Sequence, residues 1–265
     1  MKWIPLLLSA CVSVLHAQET LLLPAEDSIG NAFANRNGAF ALIDCSSGAT
    51  KLFHEKESGE PLPPCSTFKI WNTLIGLEIG IISSPGEDFY KWDGKKRFIP
   101  EWNMNLNLKE AFQVSCVPAF QGLARKIGPE KMKSWINEIG YGDRNISAGI
   151  DRFWLPSPDW QPIRISPREQ AGLIQKLVTG KLPFAQKPQA VLKEIMFIRK
   201  TERGTLYGKT GTGDKTSGTP VGWFVGYVES GERTFAFAAA GRWDKVAGKD
   251  LRALTETILE KNGFL

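Results

Sequence analysis

Apolar and polar positions fall into blocks with two different periods. Residues 38–44 (Gly-Ala-Phe-Ala-Leu-Ile-Asp) and 49–53 flank Ser46-Ser47-Gly48, which predicts two strands around a turn, with a short helix before them over 25–35. From Pro63 to about Lys193 the period turns helical, and 108–113, 118–126, 129–138 and 167–178 read as separate helices between Pro- and Trp-rich loops. Strand patterning returns over 205–210, 221–228 and 234–241. An amphipathic helix then sets Leu251, Leu254, Ile258 and Leu259 on one face. Strands at both ends with helices between them predict an α/β (α+β) fold. Its antiparallel sheet is built from the N- and C-terminal segments and flanked by helices, with an inserted, mainly helical lobe. The expected division of a single catalytic domain, 18–265, is a sheet lobe from 18–62 and 194–265 and a helical lobe from 63–193, with a ligand cleft between them.

The N-terminus stands apart from this pattern. Met1-Lys2, an apolar run over 3–15 and Leu15-His16-Ala17 read as a secretory signal peptide, 1–17, cleaved after Ala17. Leu8-Ser9-Ala10-Cys11 offers the alternative of a lipid anchor on Cys11. No later stretch approaches the ~18 apolar residues of a membrane span. The expected location is therefore outside the cytoplasm, in the periplasm of a diderm cell. Cys45, Cys65 and Cys116 remain after the leader, and an odd number of thiols allows at most one internal disulfide.

Composition narrows the chemistry. Of 265 residues, 42% are hydrophobic and 11% aromatic, enough for a substantial core and too many for disorder. The net charge of +5 is dispersed, and without a basic stripe no nucleic-acid partner is expected. The chain has two histidines, and the leader removes His16, leaving His54. A multi-histidine metal site is thereby excluded, none of the zinc finger or ribbon spacings is present, and no metal is expected. A proton shuttle in this chain points to some group other than histidine.

Ser66-Thr67-Phe68-Lys69 follows Pro63-Pro64-Cys65 and opens the most hydrophobic helical run of the mature chain. Ser66 at a helix start has free backbone N–H groups and a positive dipole end beside it. Lys69, one turn on, shares its face. A lysine among apolar residues loses its proton readily. It can then act as a base or react with carbon dioxide to form a carbamate, either of which activates a serine without histidine. With 16 serines and 21 lysines about one S-x-x-K arises by chance, and a serine there is ordinarily a cap, so the motif counts only with its companions. Lys209-Thr210-Gly211-Thr212 ends a strand. It supplies a cation, a hydroxyl and room for a substrate carboxylate, whereas K-T-G arises by chance in about one such chain in ten. Ser115-Cys116-Val117, at a break before Pro118, offers a hydroxyl that can relay a proton to a leaving group; alone it reads as a loop.

In this order the boxes resemble those of the class D, or oxacillinase-type, serine β-lactamases, over essentially the whole mature chain. Ser66-Thr-Phe-Lys69, Ser115-Cys-Val117 and Lys209-Thr-Gly211 match three family boxes. Tyr141-Gly142-Asp143 stands where the family has Y-G-N, Phe153-Trp154-Leu155 carries the tryptophan that caps the lysine, and Arg252 opens the last helix. The resemblance implies hydrolysis of β-lactam antibiotics through a Ser66 acyl-enzyme, and hence resistance to them. Lys69 would be N-carboxylated, hydrogen-bonded to Trp154 and walled by Val117, Phe120 and Leu155, and would be the general base for acylation and deacylation. Ser115 would protonate the departing nitrogen, the N–H groups of Ser66 and Thr212 would hold the oxyanion, and Lys209, Thr210, Gly211 and Arg252 would bind substrate. No cofactor is implied beyond the carbon dioxide or bicarbonate that carboxylates Lys69. The partners are small β-lactams, with the protein a monomer or a homodimer.

Two departures concern Asp143, a negative charge in place of Asn, and Cys65 and Cys116 beside the catalytic boxes. Rival functions are a penicillin-binding sensor domain, a D-Ala-D-Ala peptidase with a free lysine amine, both acylated without efficient turnover, and an exported binding module. Turnover separates the enzyme from the first two, and a Ser66→Ala variant that kept its biological effect would favour the third.

Overall fold

A computed structural model describes residues 23–24, 26–34, 36–213 and 220–265; the leader and Cys11 lie outside the described residues. In chain order the elements are α1 (Glu26–Phe33), β1 (Gly38–Asp44), β2 (Thr50–Phe53), α2 (Glu55–Ser58), α3 (Lys69–Glu78), β3 (Asp88–Tyr90), β4 (Leu106–Asn107), α4 (Leu108–Gln113), α5 (Val117–Ile127), α6 (Pro129–Ile139), α7 (Pro167–Val178), α8 (Gln186–Met196), β5 (Phe197–Lys200), β6 (Gly204–Gly213), β7 (Val221–Ser230), β8 (Arg233–Gly241) and α9 (Gly248–Lys261). The end strands meet in one six-stranded antiparallel sheet of order β2-β1-β8-β7-β6-β5, as expected for the fold class. β1 lies between its hairpin partner β2 and the C-terminal β8, with Ala41 opposite Ala238. β3 and β4 form a separate two-stranded ribbon beside the helices.

Side chains alternate across the sheet with period two, and both faces are covered. Phe40, Leu42, Phe224, Val228, Phe235 and Phe237 point into a core shared with α1 and α9. Ala41, Ile43, Trp223, Val225, Ala236 and Ala238 point into the larger core under the helical lobe. This double burial explains why the strands read as continuous apolar runs. On β8 the split is steep: Phe235 and Phe237, with Ala239, on one face, and Ala236, Ala238 and Ala240 on the other. The alanine face is the one on which α7 lies, and small side chains let a helix backbone approach the sheet.

α7 begins on a capping box. The Ser166 hydroxyl accepts from the Glu169 N–H at 3.2 Å, the Glu169 carboxylate accepts from the Ser166 N–H at 2.8 Å, and Pro167 opens the helix. β6 runs to Gly213, past the predicted 205–210, because β7 pairs with it along its whole length. Among the described residues no helix is long and apolar enough to cross a membrane.

The alanine face makes a direct prediction. Ala238→Leu adds volume where α7 meets the sheet and is expected to lower unfolding free energy by about 1–3 kcal/mol. In urea this reads as a lower midpoint at unchanged slope.

Candidate active site

Ser66 lies in a 3-10 turn, Cys65–Phe68, immediately ahead of α3. Sequence reasoning placed it at the helix start; the structure sets the helix proper one turn later, so Ser66 sits on the tighter turn. The preceding Cys65 has φ 52°, a left-handed conformation that costs a non-glycine residue about 1–3 kcal/mol unless its surroundings enforce it. Four contacts do so. Trp223 Nε1 donates to the Pro63 carbonyl at 2.9 Å. Thr67 Oγ1 donates to the Pro64 carbonyl at 2.7 Å and receives Gln170 Nε2 of α7 at 3.1 Å. Gly211 of β6 comes so close that a β-carbon there would stand 3.0 Å from the Pro64 carbonyl and 3.3 Å from Cys65 Cβ. The glycine of the K-T-G box thus lets the strand abut the nucleophile turn.

Lys69 is fully buried, and its Nζ donates to Ser66 Oγ at 2.8 Å. The amine lies 5.3 Å from the centre of the Phe120 ring. Burial disfavours the ammonium and brings its pKa from the ordinary 10.5 to about 7, against a smaller opposing influence of Cys116 and Cys65. Trp154 is fully buried and stacks on Phe68 at 5.7 Å, and its indole Nε1 is a buried donor without an acceptor. Val117, at the start of α5, is half-buried, and Leu155, after Trp154, is half-buried against the same core.

Ser115 occupies the break between α4 and α5 with φ 56°, the second left-handed non-glycine residue at the site. Lys209 Nζ donates to Ser115 Oγ and, at 3.1 Å, to the Thr210 carbonyl. Lys209 is nearly fully buried over the Phe112 ring. Desolvation, and secondarily the nearby Lys69, holds its pKa well below the ordinary range. On the outer side, Thr212 Oγ1 accepts from the Gly248 N–H at 2.9 Å, and a β-carbon at Gly248 would meet Thr210 Cβ at 2.8 Å, so α9 starts hard against β6. One turn on, Arg252 lines a cavity together with Lys209 and Thr210, its Nε held by Glu256 at 2.7 Å.

The structure therefore brings the two serines, the two lysines and Thr210–Thr212 to one seam, with Trp154 stacked on Phe68 of the Ser66 turn and Arg252 beside Lys209 and Thr210. It also adds residues that sequence reasoning missed. Gln170 and Trp223 tie down the nucleophile turn, and Gln170's signal was a polar residue on the apolar face of α7. Asp143 has a structural employment: its Oδ1 accepts the Asn145 N–H at 3.0 Å and the Arg164 N–H at 3.2 Å, closing the loop. Cys45, Cys65 and Cys116 are all unbridged, and the two beside the serines are buried.

A serine and a lysine one turn apart thus face a Lys-Thr-Gly strand, the arrangement that the resemblance to serine β-lactamases implies. Consistent with this, the penicillin binding protein transpeptidase domain matches residues 38–260. The chain is 34% identical over 249 residues to the probable β-lactamase YbxI of Bacillus subtilis, covering 94% of this chain and 90% of that protein. It is 36% identical over 232 residues to β-lactamase OXA-10 of Pseudomonas aeruginosa, covering 86% and 85%. Among solved structures, a class D β-lactamase from Bacillus subtilis superposes with a TM-score of 0.83 at 33% identity, covering 89% of this chain and 96% of that one. The chain belongs to the class D β-lactamase family.

Burial of Lys69 predicts a pH-dependent stability. Between about pH 7 and 10 the unfolded chain holds this proton and the folded chain does not, so stability rises with pH there and is flat below. In carbon dioxide-free buffer, the unfolding free energy of the wild type minus that of Lys69→Met is expected to rise by about 1.4 kcal/mol per pH unit in that window. Parallel denaturant titrations at pH 6, 8 and 9.5 measure it.

Proposed function

We propose that this protein hydrolyses β-lactam antibiotics, and so confers resistance to them, through a Ser66 acyl-enzyme served by an N-carboxylated Lys69. The observation that carries the reading is a pair of buried groups on either side of Phe68: the Lys69 amine, next in sequence, with its pKa brought to about 7, and the unpartnered indole N–H of Trp154, which stacks on the Phe68 ring. A neutral amine is the form that adds carbon dioxide, losing one proton as the carbamate forms. A buried donor lacking an acceptor suits the oxygen so created. Such a carbamate supplies an anionic base beside Ser66, available for acylation and again for the water that releases the product.

The rest of the chemistry belongs to the chain's own groups. Ser66 Oγ attacks the lactam carbonyl. The backbone N–H groups of Ser66 and Thr212 receive the negative charge on its oxygen; Gly211 makes that approach of strand to turn possible. Ser115, hydrogen-bonded to Lys209, hands a proton to the departing nitrogen. Lys209, Thr210 and Arg252, around one cavity, hold the substrate carboxylate. The leader read at 1–17 supports export to the periplasm.

The decisive experiment is hydrolysis of a chromogenic cephalosporin with and without bicarbonate. Multiple turnovers that rise with bicarbonate, vanish in Ser66→Ala and Lys69→Ala, and fall at least tenfold in Trp154→Ala are expected. One stoichiometric burst without turnover would overturn this reading in favour of a sensor. The acid limb of kcat/KM should lie near pH 7 at low bicarbonate. It should move to lower pH as bicarbonate rises, because trapping the neutral amine draws its deprotonation down; an immobile limb counts against carboxylation.

A further inference from the structure

β5 stops short beside the active site. It pairs with β6 at Thr205–Tyr207, and from Gly208 onward β6 pairs with β7 alone among the described residues. The β5–β6 register slips between Phe197 and Arg199, so Ile198 is an extra residue on the β5 side, a bulge of the kind that ends pairing and re-aims side chains. The open edge of β6 faces a cavity of about 320 Å3. Lys209, Thr210 and Arg252 line it beside Gly208; its apolar wall is Phe112, Ile195, Phe197 and Ile198, with Gln113 as a polar member. Neither Ser66 nor Lys69 lines it. The cavity thus adjoins the carboxylate-binding groups but not the nucleophile. Phe197 remains 40% exposed at its mouth, set edge-on to Tyr207.

We infer that this cavity is a subsite for an aromatic or otherwise bulky apolar substituent on the carboxylate-bearing ring of the β-lactam, making the protein selective for cephalosporins so substituted. The inference rests on the proposed hydrolase reading for the direction in which substrate lies. With the lactam carbonyl at Ser66 and the carboxylate on Lys209, Thr210 and Arg252, the ring carbon next to the one bearing the carboxylate points past those groups. In a cephalosporin that carbon carries the variable group. An apolar wall beyond a cationic clamp takes up a ring there, and Phe197 gains cover that water denies it in the free protein. Polar or very small groups leave the cavity wet.

The test uses two cephalosporins with the same acylamino side chain and either a methyl or a styryl group beside the carboxylate. Their dissociation constants are measured on the full-length protein carrying Ser66→Ala, which cannot be acylated, while turnover is measured on the unmodified protein. The styryl compound is expected to bind at least fivefold more tightly than the methyl one. Adding Phe197→Ala, or separately Ile198→Ala, should bring that ratio to within twofold, with thermal melting checking that each variant is folded. Equal binding of the two compounds, or a preference that survives both wall replacements, would overturn the subsite. Turnover without preference removes the subsite alone; preference without turnover leaves the subsite standing and removes hydrolysis.

Discussion

The site is organised around a buried amine. Lys69 sits in a dry shell of core side chains with Ser66 Oγ as its hydrogen-bond partner, and an ammonium group in such a place is held at a free-energy cost that only a rigid surround sustains. Phe120 faces the amine, and Phe68, immediately before Lys69, is fixed in an aromatic cluster with Phe153 and Trp154. A second buried lysine, Lys209, adds to the constraint, since the two cations repel whenever both are protonated. Loosening the shell would admit water, restore the ammonium and cancel the reactivity.

The sheet serves this arrangement through its two faces. Bulky side chains of β7 and β8 lock against α1 and α9. On the opposite face the alanines of β8 let α7 settle close to the strands, and Trp223 of β7 holds the segment ahead of the Ser66 turn. Gln170 from α7, Trp223 from β7 and Gly211 from β6 converge on the same four-residue turn from separate parts of the chain. The left-handed φ of Cys65 is thereby over-determined, which is the condition under which strained residues persist at functional sites.

Much of this was legible in the sequence, and the exceptions have physical reasons. β1, β7 and β8 announced themselves because strands buried on both faces are apolar throughout, and α9 because its apolar residues keep one face. Ser66 and Lys69 could be paired from their spacing alone, since residues three apart meet on a helical turn. The backbone conformations of Cys65 and Ser115 could not be read, because nothing local favours them and tertiary contacts impose them. β5 is four residues long and bulged, too short to carry a period. Asp143 was readable as a charge but not as a loop tie, because its partner Arg164 is far along the chain.

The placement of β1 between β2 and β8 also governs the order in which the molecule can be completed. The first strand of the sheet waits for the last, almost two hundred residues later, and Ser115 waits for Lys209 across 94 residues. Closing loops of that length before their contacts form slows folding and raises contact order. On the ribosome, the helical segment between them emerges and can collapse first, with its sheet-facing surface uncovered. Competence arrives only with the final strands and α9, so a chain cut short by a few tens of residues is not a weaker enzyme but an unfinished one.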